Sequence, residues 1–300
     1  MSIKIIHLSD LHIKKSENGI PEENYNFNHI CDEIILKYKN TKNKPLIVIT
    51  GDIVNSGSLN YFQNAEKYLK KLERTGFTIW PIPGNHDFRI WGWIKNTNSH
   101  KYFKEYILTK SALANVKKMS YPQIYSPAKG IYMIGLNSSN SIANIFMIAR
   151  GYLAIFQRMS LSKQLKQIHL DDPKPFIIVF LHHHPFIFPD DRKHIFAFLW
   201  EFFAHRLLAD FALRRILKNK VNIILFGHDH FHLDFSKTII AKKFKVEHLL
   251  SCTQSTLINP CYDMNYDGTT NTNALRKKGF LGWEIEIANG KVKAINILKF

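Results

Sequence analysis

The stretch PFIIVFLHHHPF, residues 175–186, sets a short apolar run against three consecutive histidines, His182, His183 and His184, closed by Pro185. Residues 176–181 read as a strand buried on both faces, because the run is brief and rich in Ile and Val. A single buried histidine is ordinarily a hydrogen-bonded core residue. Three at a strand end raise another question, since neutral imidazole is the commonest metal-binding side chain. What matters is whether carboxylates and further histidines elsewhere in the chain can meet them.

Outward from that stretch the pattern repeats. IKIIHL (3–8), PLIVIT (45–50), FTIWPI (77–82), IYMIGL (131–136) and NIILF (222–226) are further strand candidates. Phe27, Ile30, Ile34 and Tyr38 recur at helical spacing after the first of these, and Phe62, Ala65, Leu69 and Leu72 after the second, with Gly76 as a stop. Strands alternating with helices predict βαβ units around a largely buried sheet, hence an α/β chain. Nearer the C-terminus, 237–252 predicts one or two strands, and 282–298 predicts two strands turning at Asn289-Gly290. A second, more antiparallel sheet is expected there. No linker, repeat or low-complexity tract interrupts the 300 residues, so a single domain over 1–300 is expected.

Bulk properties narrow the partners. With 45% hydrophobic and 22% charged residues the chain is globular. Forty-one Lys and Arg against 24 Asp and Glu leave a net +17, which favours phosphate substrates, nucleic acid or an anionic membrane surface. Cys31, Cys252 and Cys261 lack CxxC spacing, so neither a disulfide framework nor a thiolate zinc site is expected. The opening MSIKIIHLSD already reads as a strand and leaves no room for a secretory signal. No apolar run reaches roughly 18 residues, which argues against a spanning helix. A cytoplasmic protein is expected, with peripheral membrane contact left open.

The chemistry lies immediately after the strands. The first is followed by Asp10 and His12, the second by Asp52, and the third by Asn85, His86 and Asp87. His182 follows the run that opened the reading, and His228 and His230 follow the strand at 222–226. Open α/β sheets bind ligands outside the carboxyl ends of their strands, so these groups are expected to converge. In Asp-x-His and His-x-His the spacing of two puts both side chains on one side of an extended segment. Carboxylate, amide oxygen and imidazole without sulfur suit Mn, Fe, Zn or Ni, and the ligand types do not choose among them.

In this order the motifs Asp10-Leu11-His12, Gly51-Asp52, Gly84-Asn85-His86-Asp87, His182 and Gly227-His228-Asp229-His230 resemble the signature of the calcineurin-like metallophosphoesterase superfamily. The resemblance spans roughly residues 3 to 230. It implies two mixed β-sheets packed face to face and flanked by helices, an α+β sandwich with a dinuclear metal centre at the strand ends. By motif, Asp10, His12 and His230 would hold one metal and Asn85, His182 and His228 the other, with Asp52 bridging. His86 would be no ligand; it would contact the phosphate and assist the leaving group, oriented by Asp87. The superfamily's lone histidine follows directly on its strand, which favours His182, with a slip to His183 as the alternative. His184 would be outside the ligand set.

The implied reaction is attack on phosphorus by a hydroxide shared by two metals, with charge on the phosphoryl oxygens met by the metals, Asn85 and His86. Protein Ser/Thr phosphatases of the superfamily carry an acidic-arginine pair after the second motif and Glu after the GNH of the third. This chain has GDIVNSG and GNHD, and is similar instead to the phosphodiesterase branch. A phosphomonoesterase or a nuclease of the same superfamily is the alternative, although no specific nucleic-acid motif is present. A scaffold that lost catalysis is disfavoured, because every motif position is filled. Two apolar insertions, near 141–159 and 186–218, depart from a minimal core. The second, with its aromatic and basic residues, reads as a core helix, a pocket cap, a dimer face or a membrane-contacting helix. The polar loop 259–273 is a candidate pocket lining.

Overall fold

In this computed structural model the described residues are all but 1, 17–18, 91–93, 112, 114–117, 140–150, 187–206, 208–209 and 265–269. Most of both apolar insertions, and the side chains of the 259–273 loop, therefore lie outside the described residues.

The chain begins as the sequence predicts. Strand β1 (Ser2–Leu8) leads to helix α1 (Glu22–Lys37), β2 (Leu46–Thr50), α2 (Leu59–Arg74) and β3 (Thr78–Ile82). Glu22 and Glu23 in the first turn of α1 and Lys37 in its last complement the helix dipole. Helix α2 stops at Gly76, whose φ of 88° is free of strain only for glycine. A small hairpin, β4 (Arg89–Ile90) and β5 (Ile94–Lys95), and a short helix α3 (Ser99–Tyr102) then lead to β6 (Gln123–Ala128) and β7 (Ile131–Gly135). Helix α4 (Ile155–Asp171) precedes β8 (Phe176–Phe180), and α5 (Asp210–Leu217) precedes β9 (Ile223–Phe226). Next come β10 (His232–Asp234), α6 (Ile239–Phe244), β11 (His248–Ser251), β12 (Asn259–Met264), β13 (Thr270–Gly279), β14 (Leu281–Ala288) and β15 (Lys291–Lys299).

Two large sheets result. One has the order β15-β14-β1-β2-β3, and the other β13-β12-β10-β11-β9-β8-β7-β6. The neighbours β1, β2 and β3 run parallel, as do β7, β8 and β9, while β14 joins β1 antiparallel. Two expectations are corrected here. The Asn289-Gly290 hairpin forms, with φ of 54° and 65° at the turn, but it extends the first sheet rather than building the second. Segment 237–252 is one helix and one strand rather than strands alone: Thr238 caps α6 by accepting the Ile240 amide at 3.2 Å. That cap outweighs the β-branched start of the segment.

Side-chain alternation on β8 shows how the layers meet. Phe176, Ile178 and Phe180 join the core shared with the first sheet, whereas Ile177, Val179 and Leu181 join the core under the helices. A period of two on a strand buried from both sides gives this division directly. Trp80 of β3 meets Phe180 edge-to-face at 4.8 Å between the sheets. Phe27, Ile30 and Ile34 of α1 and Phe62, Leu69 and Leu72 of α2 belong to the core on the first sheet. Leu161 and Leu165 of α4, Leu213 and Leu217 of α5 and Phe244 of α6 pack on the second. Each such side chain, fully buried, contributes about 1.5–3 kcal/mol, so both sheets are held rigidly behind their strand ends.

Candidate metal centre

Every candidate ligand stands within four residues of the C-terminal end of β1, β2, β3, β8 or β9. The loops beyond β1 and β2 remain zipped by backbone bonds, with the Asp10 amide on Gly51 O and the His12 amide on Asp52 O, each at 3.0 Å. Two motif glycines have a steric reason. A Cβ on Gly84 would run into the Asp52 carboxylate, and one on Gly227 would lie 2.5 Å from Asp10 Oδ2. The backbone is strained where the ligands are. Among described non-glycine residues eight have positive φ, and five of them are Asp10, His12, Asp52, His228 and His230. Such conformations cost about 1–3 kcal/mol each and persist only where surrounding structure enforces them.

His182 is the hub of one half. Its Nδ1 donates to Thr50 O at 2.7 Å, which turns Nε2 toward Asn85 Oδ1 at 3.0 Å, His228 Nδ1 at 3.2 Å and Asp52 Oδ2 at 3.3 Å. A carboxylate and an amide oxygen can only accept, so this point calls for positive charge. Burial alone would strip a proton from His182, but the adjacent Asp52 carboxylate overrides it and pushes the imidazole up to about 9. Burial likewise acts to raise Asp52, and His182 and His86 hold it well below the ordinary carboxylate range instead.

The other half gathers Asp10, His12 and His230. His12 Nε2 lies 3.2 Å from His230 Nε2, which is 3.5 Å from Asp10 Oδ1. Asp10 spends Oδ2 on the His228 amide at 3.1 Å, while buried Oδ1 accepts no hydrogen bond. His12 Nδ1 is also buried without a hydrogen-bond partner. Burial drives His12 down to about 3, so it is neutral and able to ligate. Ligand atoms of Asp10, His12 and His230, and of Asp10, Asp52 and His182, each lie within 4.8 Å of one another. So do those of His12, Asp52 and His86, which leaves Asp52 between the two halves. Orphaned acceptors, neutral imidazoles and paired carboxylates are the donor set of a hard-to-borderline cation, and the residues fit bound metal.

All the residues picked out in the sequence are thus brought together, with one change of role. His86 donates its amide to Asp52 Oδ1 at 2.8 Å, and its Nδ1 is held by Asn55 O at 3.0 Å. Asp87 does not orient that ring. It accepts the Gly84 amide at 2.8 Å and the Val54 amide at 3.0 Å, bracing the two loops from below. Burial and the charge of Asp52 raise the Asp87 carboxyl. The partner of His86 is a backbone carbonyl, a group no motif can display.

The three histidines that opened the reading divide their duties. His182 points into the acceptor cluster. His183 Nδ1 pairs with Ser138 Oγ at 2.9 Å, and the same oxygen accepts the His183 amide at 3.1 Å. His183 stays close enough to His182 and His228 to form a candidate group with them, yet its ring is committed to Ser138. His184 Nδ1 contacts the Asp229 carboxylate, tying the β8 loop to the residue between His228 and His230. Ser138 and Asn55 escape sequence reading altogether. Asp229 stood in plain view between two ligands, and only its partner was missing.

A sandwich of two sheets whose strand ends collect carboxylate, amide and imidazole acceptors is the architecture of a metal-dependent phosphoesterase. Residues 3–232 match the calcineurin-like phosphoesterase family, and the chain belongs to that family of metal-dependent phosphoester hydrolases. No curated protein matches the chain significantly. Among solved structures it is similar to the Haemophilus influenzae NAD nucleotidase, at 15% identity and TM-score 0.44, covering 100% of this chain and 49% of that one. It is also similar to the Thermus thermophilus sulfate thiohydrolase SoxB in complex with glycerol, at 11% identity and TM-score 0.47, covering 98% and 56%. A 5′-nucleotidase precursor from Thermus thermophilus gives 13% identity and TM-score 0.43, covering 99% and 54%. The chain spans about half the length of these proteins.

Proposed function

We propose that the protein hydrolyses a phosphodiester at a dinuclear metal centre. The observation that carries this reading is the cluster at His182 Nε2, where Asn85 Oδ1, His228 Nδ1 and Asp52 Oδ2 converge within 3.3 Å beside the Asp10–His12–His230 set. Asp10, His12 and His230 would hold one ion, Asn85, His182 and His228 the other, and Asp52 would touch both. Bound there, the ions would supply Lewis acidity and a water acidic enough to act as nucleophile near neutral pH.

The remaining work falls to the chain itself. Thr50 O holds the proton on His182 Nδ1, so Nε2 is the ring nitrogen that would face a cation. Asn55 O fixes the His86 tautomer with Nδ1 protonated, which leaves Nε2 to exchange a proton with the leaving oxygen when that nitrogen is charged. The Asn85 side chain neighbours the same space and can donate through Nδ2 to a phosphoryl oxygen as charge develops. The diester preference rests on GDIVNSG and GNHD, which lack the acidic-arginine pair and the Glu of the Ser/Thr phosphatases. A reducing, cytoplasmic setting is proposed from three cysteines without CxxC spacing. We read the 300 residues as one domain, since one core draws on both sheets.

The test compares bis-p-nitrophenyl phosphate with p-nitrophenyl phosphate, using purified protein loaded with manganese, alongside metal analysis. Faster diester hydrolysis with about two ions per chain is the expected outcome. A monoester preference would redirect the reading to a phosphatase, and cutting of plasmid DNA to a nuclease. Absence of both turnover and bound metal would restore the scaffold reading.

A further inference from the structure

Helix α4 is apolar on two opposite sides. Leu161, Leu165 and Ile168 pack on the eight-stranded sheet. At about 100° per residue, the far side presents Ile155, Phe156, Met159, Lys163, Lys166 and Leu170 within a single arc. Phe156 is 80% exposed, and Ile155, Met159 and Leu170 are also turned to solvent. Phe211 of α5, which packs beside α4, is exposed as well, with the Arg214 guanidinium 5.2 Å from its ring centre. Single exposed apolar residues are ordinary, but a continuous stripe of them marks a contact surface.

The charges on this surface select the partner. Between Met159 and Leu170 runs a groove of about 670 Å³ whose charged lining, among the described residues, is Lys163, Lys166 and Lys220, with no carboxylate. Large apolar side chains call for an apolar phase, and three ammonium groups without an acid call for anions. A bilayer with anionic headgroups offers both together along the whole of α4, about 25 Å. The net charge of +17 adds long-range attraction of the same sign. No described helix is long and apolar enough to cross a membrane, so the contact is peripheral.

We propose that the outer face of α4, with Phe211 of α5, docks the protein on an anionic lipid bilayer. Ile155, Phe156 and Met159 enter the boundary between headgroups and acyl chains, and Lys163, Lys166 and Lys220 bind lipid phosphates. The start of α4 lies on the same edge as the metal centre: a Cβ built on Gly151 would fall on the His183 ring, and the Tyr152 amide donates to Ser138 O at 2.8 Å. The surface is independent of catalysis and stands if the esterase reading fails.

Co-sedimentation of the full chain with vesicles tests it, using phosphatidylcholine alone against phosphatidylcholine with about 30% phosphatidylserine. Binding to the anionic vesicles, lost in high salt, is expected. Lys163→Gln with Lys166→Gln should weaken it roughly thirtyfold, and Phe156→Ser roughly tenfold. Circular dichroism and hydrolysis of a soluble diester should be unchanged in these variants, which keeps loss of docking separate from loss of fold or of activity. No binding by the wild-type chain at low salt would overturn the proposal, as would equal binding by the variants. So would a dimer in light scattering that Phe156→Ser converts to monomer, because a second copy would then cover the face.

Discussion

The five-stranded sheet brings every carboxylate and the one amide of the proposed ligand set, together with His12, whereas the eight-stranded sheet brings imidazoles alone. Before any metal binds, the two halves are already complementary. Asp10 and Asp52 lie below their ordinary range despite burial, and His182 and His230 lie above theirs. His7 shows what burial does where the nearby Asp10 charge is too weak to offset it. It is as enclosed as His182 and bonds Thr50 Oγ1 at 2.9 Å, yet it is pushed down to about 3. Contact with a carboxylate, not depth, decides which histidines carry charge. Protons at the strand ends therefore act as placeholders for cations.

Asp52→Asn is the strongest way to break that complementarity. It removes the charge that both halves face, and turnover should fall more than about a thousandfold with loss of bound metal. Ordinary turnover with full metal content would refute the bridging role. Acid separates the two kinds of histidine next. Because the folded His7 value of about 3 lies below the unfolded value of 6.5, the unfolded chain binds the extra proton between them, and stability drops as pH falls through that window. The loss should approach about 4 kcal/mol near pH 3 and be reduced in His7→Gln, read by denaturant melts. His182 has the opposite sign in the metal-free protein. Its contribution is complete below pH 6.5 and disappears as pH rises through about 9, and metal affinity should climb over the same interval.

Smaller effects sharpen the comparison. Ser138→Ala removes the Oγ partner of the His183 ring without touching a ligand, and metal affinity should change by less than about threefold in a competitive chelator titration. His182→Ala should instead abolish one of the two ions, and the reverse ranking would make His183 the ligand. Thr238→Ala removes the cap of α6 without touching any residue of the proposed ligand set. It should cost about 1 kcal/mol in a thermal melt and leave diester turnover intact.

The parts legible in the sequence were those that repeat a local rule. Short aliphatic runs became β1, β2, β3, β7, β8 and β9, and Asp10, His12, Asp52, Asn85, His182, His228 and His230 just beyond five of them lie close together. What escaped was decided by partners distant in sequence. Segment 237–252 read as strands alone, and the Thr238 cap made 239–244 a helix instead. The strands around Asn289-Gly290 were visible, but not that β1 would be their neighbour. His86 was identified and its orientation misassigned, because the adjacent Asp87 was a visible partner and the Asn55 carbonyl was not.

That placement of the hairpin bears on how the protein comes into being. Strand β1 ends at Leu8, two residues before Asp10, and its antiparallel neighbour β14 begins only at Leu281. A ribosome thus releases the first ligands long before the strand that seals their sheet. Until then β1 has a bare edge, open to pairing with other chains. Maturation of the centre is in this sense timed by the emergence of β14, and earlier metal delivery would meet an unfinished site.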